Sequence, residues 1–158
     1  MSELKKSIMN TDEQKSKSRL RLWLRILGVS QSVQSELRQK FRVEFNSTLP
    51  RFDVLATLAR YDEGMKMSDL SKALRVSGGN VTGIIDRLIE DEFVERSVMP
   101  NDRRASCVSL TELGRKEFEV QAKAHETWVN DLLISLDDES LDTLCQQLDD
   151  IIHHTVKD

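Results

Sequence analysis

Cysteine and histidine are scarce in this chain of 158 residues, which has two cysteines and three histidines. Cys107 and Cys145 stand far apart and fit neither a disulfide framework nor the spacing of zinc ligands. His153 and His154, with acidic residues nearby, are the one group that could hold a metal, but two solvated histidines at a helix end explain them as well. We therefore expect no metal site and no cofactor.

Long apolar runs are also absent, and aromatic residues make up only 5% of the sequence. No stretch approaches the roughly 20 apolar residues that span a bilayer, and the polar, lysine-rich N-terminus lacks the apolar segment of a signal peptide. Charged residues, in contrast, reach 32%. This composition predicts a soluble, mostly helical protein that is cytoplasmic and has no membrane partner.

Catalytic patterns are missing as well. The sequence contains no recognisable arrangement of nucleophile, base and orienting residue, and no phosphate-binding loop. Acidic residues are numerous enough for a paired-carboxylate hydrolase, but nothing in the sequence groups them in one cleft. We expect no enzymatic activity and no catalytic residues.

The net charge of −4 at first argues against a nucleic-acid partner. Its distribution is uneven, however: Lys and Arg outnumber Asp and Glu up to Pro50, whereas acidic residues predominate from Glu112 onward. The acidity therefore belongs to the C-terminal end. The middle of the chain remains compatible with a basic surface that faces DNA.

Apolar residues recur at helical spacing over residues 20–45, whereas residues 1–18 are polar and without periodicity. The pattern predicts a flexible N-terminal arm (1–18) followed by a long helix. Residues 46–48 break this helix and cap a second one, which we expect to end near Gly64. Ser68 is the expected N-cap of a short third helix.

A fourth helix is predicted over residues 78–91, after a short break. Beyond it the pattern changes from helical spacing to strand-like alternation in residues 93–98 and 106–110. The charged segment 99–105 between them is rich in turn formers. We therefore predict a mainly α fold with a small β-hairpin wing directly after a helix-turn-helix.

The terminal helices carry wider apolar stripes than a small wing domain needs. We expect residues 19–48 and 112–158 to form a helical dimerisation region. Residues 49–111 are expected to form the winged helix-turn-helix DNA-binding domain, and the protein to be a homodimer.

Three segments resemble the MarR family of bacterial regulators. Residues 102–111 match its wing pattern D-x-R-x-x-x-V-x-L-T, residues 81–88 resemble its V-T-x-x-[VI]-D-R-L recognition helix, and residues 49–55 resemble the start of its second helix. Their order and spacing agree from Leu20 to Val156. The resemblance implies an obligate dimer without catalytic activity, in which small phenolic or aromatic carboxylates bind between the dimer helices and the wing domain.

In such a fold the second helix of the helix-turn-helix enters the major groove, and the wing tip reaches the minor groove. Asn80 suits adenine and Thr82 suits thymine, while Arg104, oriented by Asp102, suits a narrow A·T-rich minor groove. The glycines at the start of the helix either let the backbone approach DNA or merely shape the turn. The predicted DNA contacts are Ser77, Gly78, Gly79, Asn80, Thr82, Arg87, Asp102, Arg103 and Arg104.

Gly83 and Asp86 also lie on the predicted recognition helix. Gly83 departs from the common family pattern, which has a basic or polar residue there, so one contact to base or phosphate is missing. Asp86 either accepts from cytosine or holds Arg87 by charge.

Residues 49–80 also resemble regulators of aromatic or hydroxycinnamate catabolism. We therefore expect a repressor that binds a palindromic operator in double-stranded DNA and is released by an aromatic carboxylate or its CoA thioester. Basic residues of the first helix would suit the phosphates of a thioester; they are Arg21, Arg25, Arg38 and Arg42. The residues predicted to line the ligand pocket are Trp23, Arg25, Phe41, Phe52 and Trp128. The alternative for Trp23 and Phe52 is a place in the plain core.

Two other functions remain open. A redox-responsive regulator needs a reactive cysteine, which peroxide-sensing family members tend to carry on the first helix, where this chain has none. Cys107 is expected to face away from the core of the wing, and Cys145 to be structural beside an apolar stripe. A winged-helix adaptor for protein partners would not need Arg104, and salt-dependent, sequence-selective DNA binding would distinguish it.

Overall fold

A computed structural model of the chain describes residues 2–75, 78–99 and 102–155, with side chains in these ranges except at 2–12, 98–99 and 102–106. The helices and strands, in chain order, are α1 (Ser2–Phe45), α2 (Leu49–Leu58), β1 (Met65–Lys66), α3 (Met67–Leu74), α4 (Gly78–Glu90), β2 (Val94–Met99), β3 (Asp102–Leu110), α5 (Glu112–Leu132) and α6 (Asp138–Thr155). The strands form one antiparallel sheet in the order β1-β3-β2. This confirms the predicted mainly α fold with a β-hairpin wing.

The first helix is longer than the sequence predicted. It begins at Ser2 rather than near Leu20, so residues 2–18, expected as part of a flexible arm, are helical. The stretch has no glycine or proline and is rich in straight-chain polar residues. Such residues have a favourable helix propensity, so this stretch can be helical although it has no apolar stripe. Glu13 and Lys17 add an ion pair of 2.7 Å one turn apart. Hydrophobic periodicity alone therefore missed this part of α1.

The second helix begins where the sequence predicted but ends earlier. The Thr48 hydroxyl caps it by accepting from the backbone N–H of Arg51 at 3.4 Å, and Pro50 lies in the first turn. Gly64 does not end this helix. It has φ +78 in the turn before β1, where an added Cβ would lie 2.5 Å from the Val108 carbonyl oxygen.

The two-residue strand β1 was not predicted from the sequence. Met65 pairs with Val108 and Lys66 with Cys107, and the chain passes directly from this pairing into α3. The expected cap at Ser68 is therefore wrong: Lys66 occupies the N-cap position, without a side-chain hydrogen bond.

The core of the winged domain joins α2, α3, α4 and the strands. It consists of the buried residues Val54, Leu55, Leu58, Leu70, Val81, Ile85, Leu88, Val94 and Val108. The apolar stripe of α4 faces this core, so its glycine-rich side is left outward.

A second, aromatic core attaches the long helices to the winged domain. Phe41 of α1 lies 4.8 Å from Phe52 of α2 and meets Trp128 of α5 edge-on at 5.1 Å, measured between ring centres. The His125 ring stacks on Phe52 at 4.8 Å. Since these rings come from three helices, they fix the winged domain against α1 and α5.

Large apolar side chains remain exposed on the terminal helices. On α1 they include Leu20, Trp23 and Leu24, and α6 has no buried residue over its described length although Ile151 and Ile152 lie on it. Exposed apolar faces of this extent are typical of surfaces that bury against another chain. None of the helices in the described ranges is long and apolar enough to cross a membrane.

Candidate nucleic-acid interface

The outward face of α4 is polar and unusually open. Asn80, Thr82 and Arg87 are exposed on it, and a Cβ added at Gly79 or Gly83 would meet no described atom within 4 Å. The Thr82 hydroxyl donates to the Gly78 carbonyl at 3.0 Å, so its methyl group and lone pairs remain for an outside partner. The helix thus presents a shallow surface with an amide, a hydroxyl and a guanidinium. Ser77, also predicted to contact DNA, lies outside the described residues.

Asp86 is held by the wing rather than by its neighbour on the helix. Its Oδ1 accepts from Arg96 Nη2 of β2 at 2.7 Å, and not from Arg87 as one of the two interpretations expected. Both side chains are about half exposed, so the pair adds at most about 1 kcal/mol to stability. Its geometric effect is more important, because it ties α4 to the hairpin.

The wing hairpin is tighter than the sequence suggested. Val98 pairs with Ser106 and Met99 with Asp102, so the register skips residues 103–105 of β3. β3 begins at Asp102, so residues 102–105, which were predicted as part of the turn, belong to this strand. Arg103 and Arg104 stand on a stretch of β3 for which the described residues of β2 supply no partner. Their side chains, and the predicted Asp102–Arg104 ion pair, lie outside the described residues.

The base of the wing is locked to the start of α5. The Thr111 hydroxyl accepts from Gly114 N–H at 2.9 Å and donates to the Glu92 carbonyl at 2.6 Å, while Thr111 N–H donates to the Phe93 carbonyl at 3.1 Å. Gly114 packs directly on that backbone: an added Cβ would lie 2.7 Å from the Phe93 carbonyl carbon. This close approach was not predicted from the sequence. The glycine at position 114, inside the first turn of α5, is the feature that could have indicated it.

The five residues predicted to line a ligand pocket do not come together within one chain. Phe41, Phe52 and Trp128 are buried in the aromatic core, where their rings pack against one another. Trp23 and Arg25 are exposed much farther along α1, since a rise of 1.5 Å per residue separates Trp23 from Phe41 by about 27 Å. Within one chain the five side chains therefore do not form a single pocket, because α1 is long and the three rings are buried against one another.

A cavity of about 570 Å³ instead lies between the end of α1 and the start of α4. Its floor is apolar, and Arg38 and Arg42, one turn apart on α1, supply its positive charge. The lining residues are Arg38, Arg42, Ser47, Thr48, Leu49, Pro50, Asp53, Leu74, Asn80 and Ile84. Arg38 and Arg42 had been predicted as phosphate ligands, but no signal in the sequence connected them with Asn80 and Ile84.

Asp53 and His125 connect this cavity with the aromatic core. Partial burial raises the pKa of the Asp53 carboxyl, and the charge of His125 opposes that change only in part. Burial lowers the pKa of His125, against a smaller opposing effect of Asp53. Burial thus shifts both groups toward their neutral forms relative to the free side chains, where the cavity meets the rings.

The two cysteines differ from expectation in their burial. Cys107 does face away from the wing core, but it is buried, and its Sγ lies 3.6 Å from the Glu63 carbonyl under the turn before β1. Cys145 is exposed on α6 and not packed as a structural residue. Among the residues with described positions, no three His, Cys, Asp or Glu side chains gather as metal ligands would.

Comparison with known proteins gives a consistent set of similarities. The model of the MarR family matches residues 47–106. An uncharacterised HTH-type transcriptional regulator of Bacillus subtilis, YfiV, is 36% identical over 76 residues, which is 48% of this chain and 47% of that protein. The transcriptional activatory protein BadR of Rhodopseudomonas palustris is 39% identical over 80 residues, 48% of this chain and 45% of BadR. The chain thus spans about half the length of these curated relatives.

Solved structures extend the similarity to nearly the whole fold. A MarR family transcriptional regulator from Silicibacter pomeroyi superposes with a TM-score of 0.76 at 30% identity, covering 89% of this chain and 97% of that one. A mutant of MarR from E. coli, solved in complex with operator DNA, gives a TM-score of 0.73 at 27% identity, covering 85% and 95%.

Proposed function

The chain belongs to the MarR family of transcriptional regulators, and from that premise we propose that it binds a palindromic operator as a homodimer and represses transcription until a small effector releases it. The observation that carries this proposal is the ion pair between Asp86 and Arg96, which holds the open face of α4 and the wing as one surface. Two elements fixed in this way can reach adjacent grooves of the same duplex. The family comprises regulators and not enzymes, which agrees with the predicted lack of a catalytic site.

Binding to DNA would use α4 in the major groove and the wing in the minor groove. Asn80 can make two hydrogen bonds to an adenine edge, and the Thr82 methyl can contact thymine. Gly78 and Gly79 let the backbone come close to the duplex. Arg104 would enter the minor groove with Asp102 orienting it, while Arg103 meets phosphate and Ser77 and Arg87 flank the base contacts.

Dimerisation would bury the apolar residues that the terminal helices leave exposed. Trp23 and Leu24 of α1 and Ile151 and Ile152 of α6 offer such a surface, and a two-fold axis would bring the same faces of two chains together. The acidic C-terminal helix would then lie far from DNA, in keeping with the uneven charge along the chain.

Selection of bound sequences from random DNA should recover an imperfect palindrome whose half-sites are centred about 10 bp apart. Replacing Asn80 with alanine should relax the preference at one symmetric pair of positions, because the bidentate contact to adenine is lost. The matched control is Asn130→Ala on the exposed side of α5, which should leave the selected motif unchanged. A single unsymmetric site, or no enrichment at all, would refute the proposed function.

The effector would occupy the cavity at the end of α1. Arg38 and Arg42 suit a carboxylate or the phosphates of a CoA thioester, and the apolar floor suits an aromatic ring. Asn80 and Ile84 of α4 lie in the same wall, so an occupant contacts the recognition helix itself. A ligand that prefers one placement of α4 changes DNA affinity by its preference for that state.

A thermal-shift screen of hydroxycinnamates, phenolic acids and their CoA thioesters should identify a ligand that raises the melting temperature. Arg42→Ala should then weaken that ligand about tenfold or more, since a hydrogen bond to a charged group contributes about 1.5 kcal/mol. Arg19→Ala removes the same charge from an exposed position on the same helix, outside the residues proposed to bind phosphate, and should change nothing. Unshifted melting temperatures with every compound would rule out this class of effector.

A further inference from the structure

The N-terminal half of α1 and the C-terminal end of the chain carry charges of opposite sign. Residues 14–35 contain five Lys or Arg and no acidic residue, whereas residues 124–155 contain eight Asp or Glu and no Lys or Arg. Over the described length of the chain, no ion pair includes a residue of α6, and in the basic segment only Lys17 has a partner, Glu13. The two sets of charge therefore form no ion pairs with each other inside one chain.

On α1 a row of basic residues runs beside an exposed apolar stripe. The stripe consists of Leu20, Trp23, Leu24 and Leu27, which recur at helical spacing. Lys17, Arg21 and Arg25 are also exposed, and their intervals of four residues align them along one side of the helix. Successive helical residues are rotated by about 100°, so this row, which we name the basic edge, lies about 110° from the middle of the stripe.

On α6 a row of acidic residues flanks an apolar stripe in the same way. The exposed stripe consists of Leu144, Leu148, Ile151 and Ile152. Asp138, Asp142 and Asp149 are exposed and follow one another at intervals of four and seven residues. This row, the acidic edge, lies about 115° from the middle of its stripe, in the same rotational sense as the basic edge on α1.

The shared rotational sense selects one way of packing the two stripes together. If two helices face each other, edges on the same rotational side meet only when the helices run antiparallel, because reversing one axis exchanges its left and right sides. Both helices rise by about 1.5 Å per residue, so an antiparallel pair with Leu24 opposite Leu144 also places Leu20 opposite Leu148.

The same register brings the two charged edges together. Arg25 is then one residue, about 1.5 Å along the axis, from the level of Asp142. Arg21 is two residues, about 3 Å, from the level of Asp149. Both offsets are within the reach of an arginine side chain, so apolar and charged contacts are satisfied at once.

We propose that α1 of one chain packs antiparallel on α6 of a second copy of this chain, with the basic edge against the acidic edge. This inference rests on the homodimer of the proposed function and specifies which helices meet in it. A two-fold axis makes the contact twice, because α6 of the first chain receives α1 of the second. The stripes supply most of the affinity, and the charged edges specify the partner helix and its direction.

The proposal is tested with two charge-reversed forms of the full chain. The α1-reversed form carries Arg21→Glu and Arg25→Glu, and the α6-reversed form carries Asp142→Arg and Asp149→Arg. Each form alone places like charges at both contacts of its dimer. Sedimentation should therefore give each form a dissociation constant about tenfold or more above that of the unaltered dimer.

Mixing the two forms should restore the dimer, because opposite charges then meet at both contacts. The forms are unfolded together in urea and refolded, and native mass spectrometry counts the dimers, with a mass tag on one form. The heterodimer should exceed the share that random pairing gives. Random pairing of the two reversed forms overturns the proposal.

Lys15→Glu with Arg19→Glu is the matched control, since it makes the same change in net charge on the other side of the α1 stripe. This form should dimerise as tightly as the unaltered chain, and equal weakening by the control and the α1-reversed form overturns the proposal.

A second mixture distinguishes α1 against α6 from α1 against α1. A heterodimer of the α1-reversed form with the unaltered chain has one favourable and one unfavourable contact, the average of the two homodimers, so these chains should pair at random. An excess of this heterodimer means that α1 meets the partner's α1, and it overturns the proposal. A refolded, unaltered chain that stays monomeric refutes the homodimer of the proposed function itself, and this contact with it.

Discussion

Replacing Gly114 with alanine should lower the free energy of unfolding by about 3 kcal/mol or more, as severe overpacking does. The new methyl group would collide with the Phe93 carbonyl, whose oxygen already accepts from Thr111 N–H. The neighbouring Thr111 hydroxyl is also bonded on both sides, to Glu92 and Gly114, so the backbone cannot move away without losing these bonds. Urea unfolding followed by circular dichroism measures the change.

Gly83→Ala is the control for this prediction, because its methyl group meets no described atom within 4 Å. Alanine inside a helix is favoured over glycine, so this variant should be more stable by about 0.5–1 kcal/mol. If Gly114→Ala were as stable as the unaltered protein, α5 could not pack this closely on the base of the wing.

Arg104→Ala should weaken operator binding by more than about tenfold while leaving the dimer intact. The reason is that a guanidinium in a narrow minor groove lies at the strongest negative potential of the duplex. Arg104 stands on the part of β3 that the hairpin register leaves unpaired, so replacing it leaves the described strand pairing in place. Fluorescence anisotropy with labelled operator DNA gives the affinity, and sedimentation gives the oligomeric state.

Lys123→Ala removes the same charge from an exposed position on α5 and should leave operator affinity almost unchanged. The salt dependence provides a second readout. Losing Arg104 from both chains of a dimer should reduce the slope of log affinity against log salt by about 2 if both side chains displace counterions. Unchanged affinity for Arg104→Ala would remove this residue from the DNA interface.

Periodicity predicted those elements whose side chains face a core. The stripe Val81, Ile85 and Leu88 located α4, and the alternation ending at Val108 located β3, because burial imposes both patterns. Residues 13–18 of α1 are exposed, so burial imposes no apolar stripe on their sequence. The strand β1 is too short for any pattern, and Gly64 is explained only by the approach of β3.

The proposed ligand pocket was the least predictable part of the molecule. Aromatic type alone does not separate a ring that binds a ligand from one that fills a core, and Phe41, Phe52 and Trp128 prove to be core. The cavity beside them is assembled from four helices, so its members are scattered along the sequence. The sequence offered Arg38 and Arg42 as phosphate ligands by their charge alone, and the residues that share the cavity with them depended on the tertiary fold.

The open side of the recognition helix has a consequence for redesign. A Cβ added at Gly83 meets no described atom within 4 Å, and the apolar stripe of α4 faces the other way, so a longer side chain there would leave the core beneath α4 undisturbed. This position therefore allows a library of polar residues to be tested for new base preferences with little risk to folding. Changed promoter preference could then be obtained at one residue while the wing and the terminal helices stay as they are.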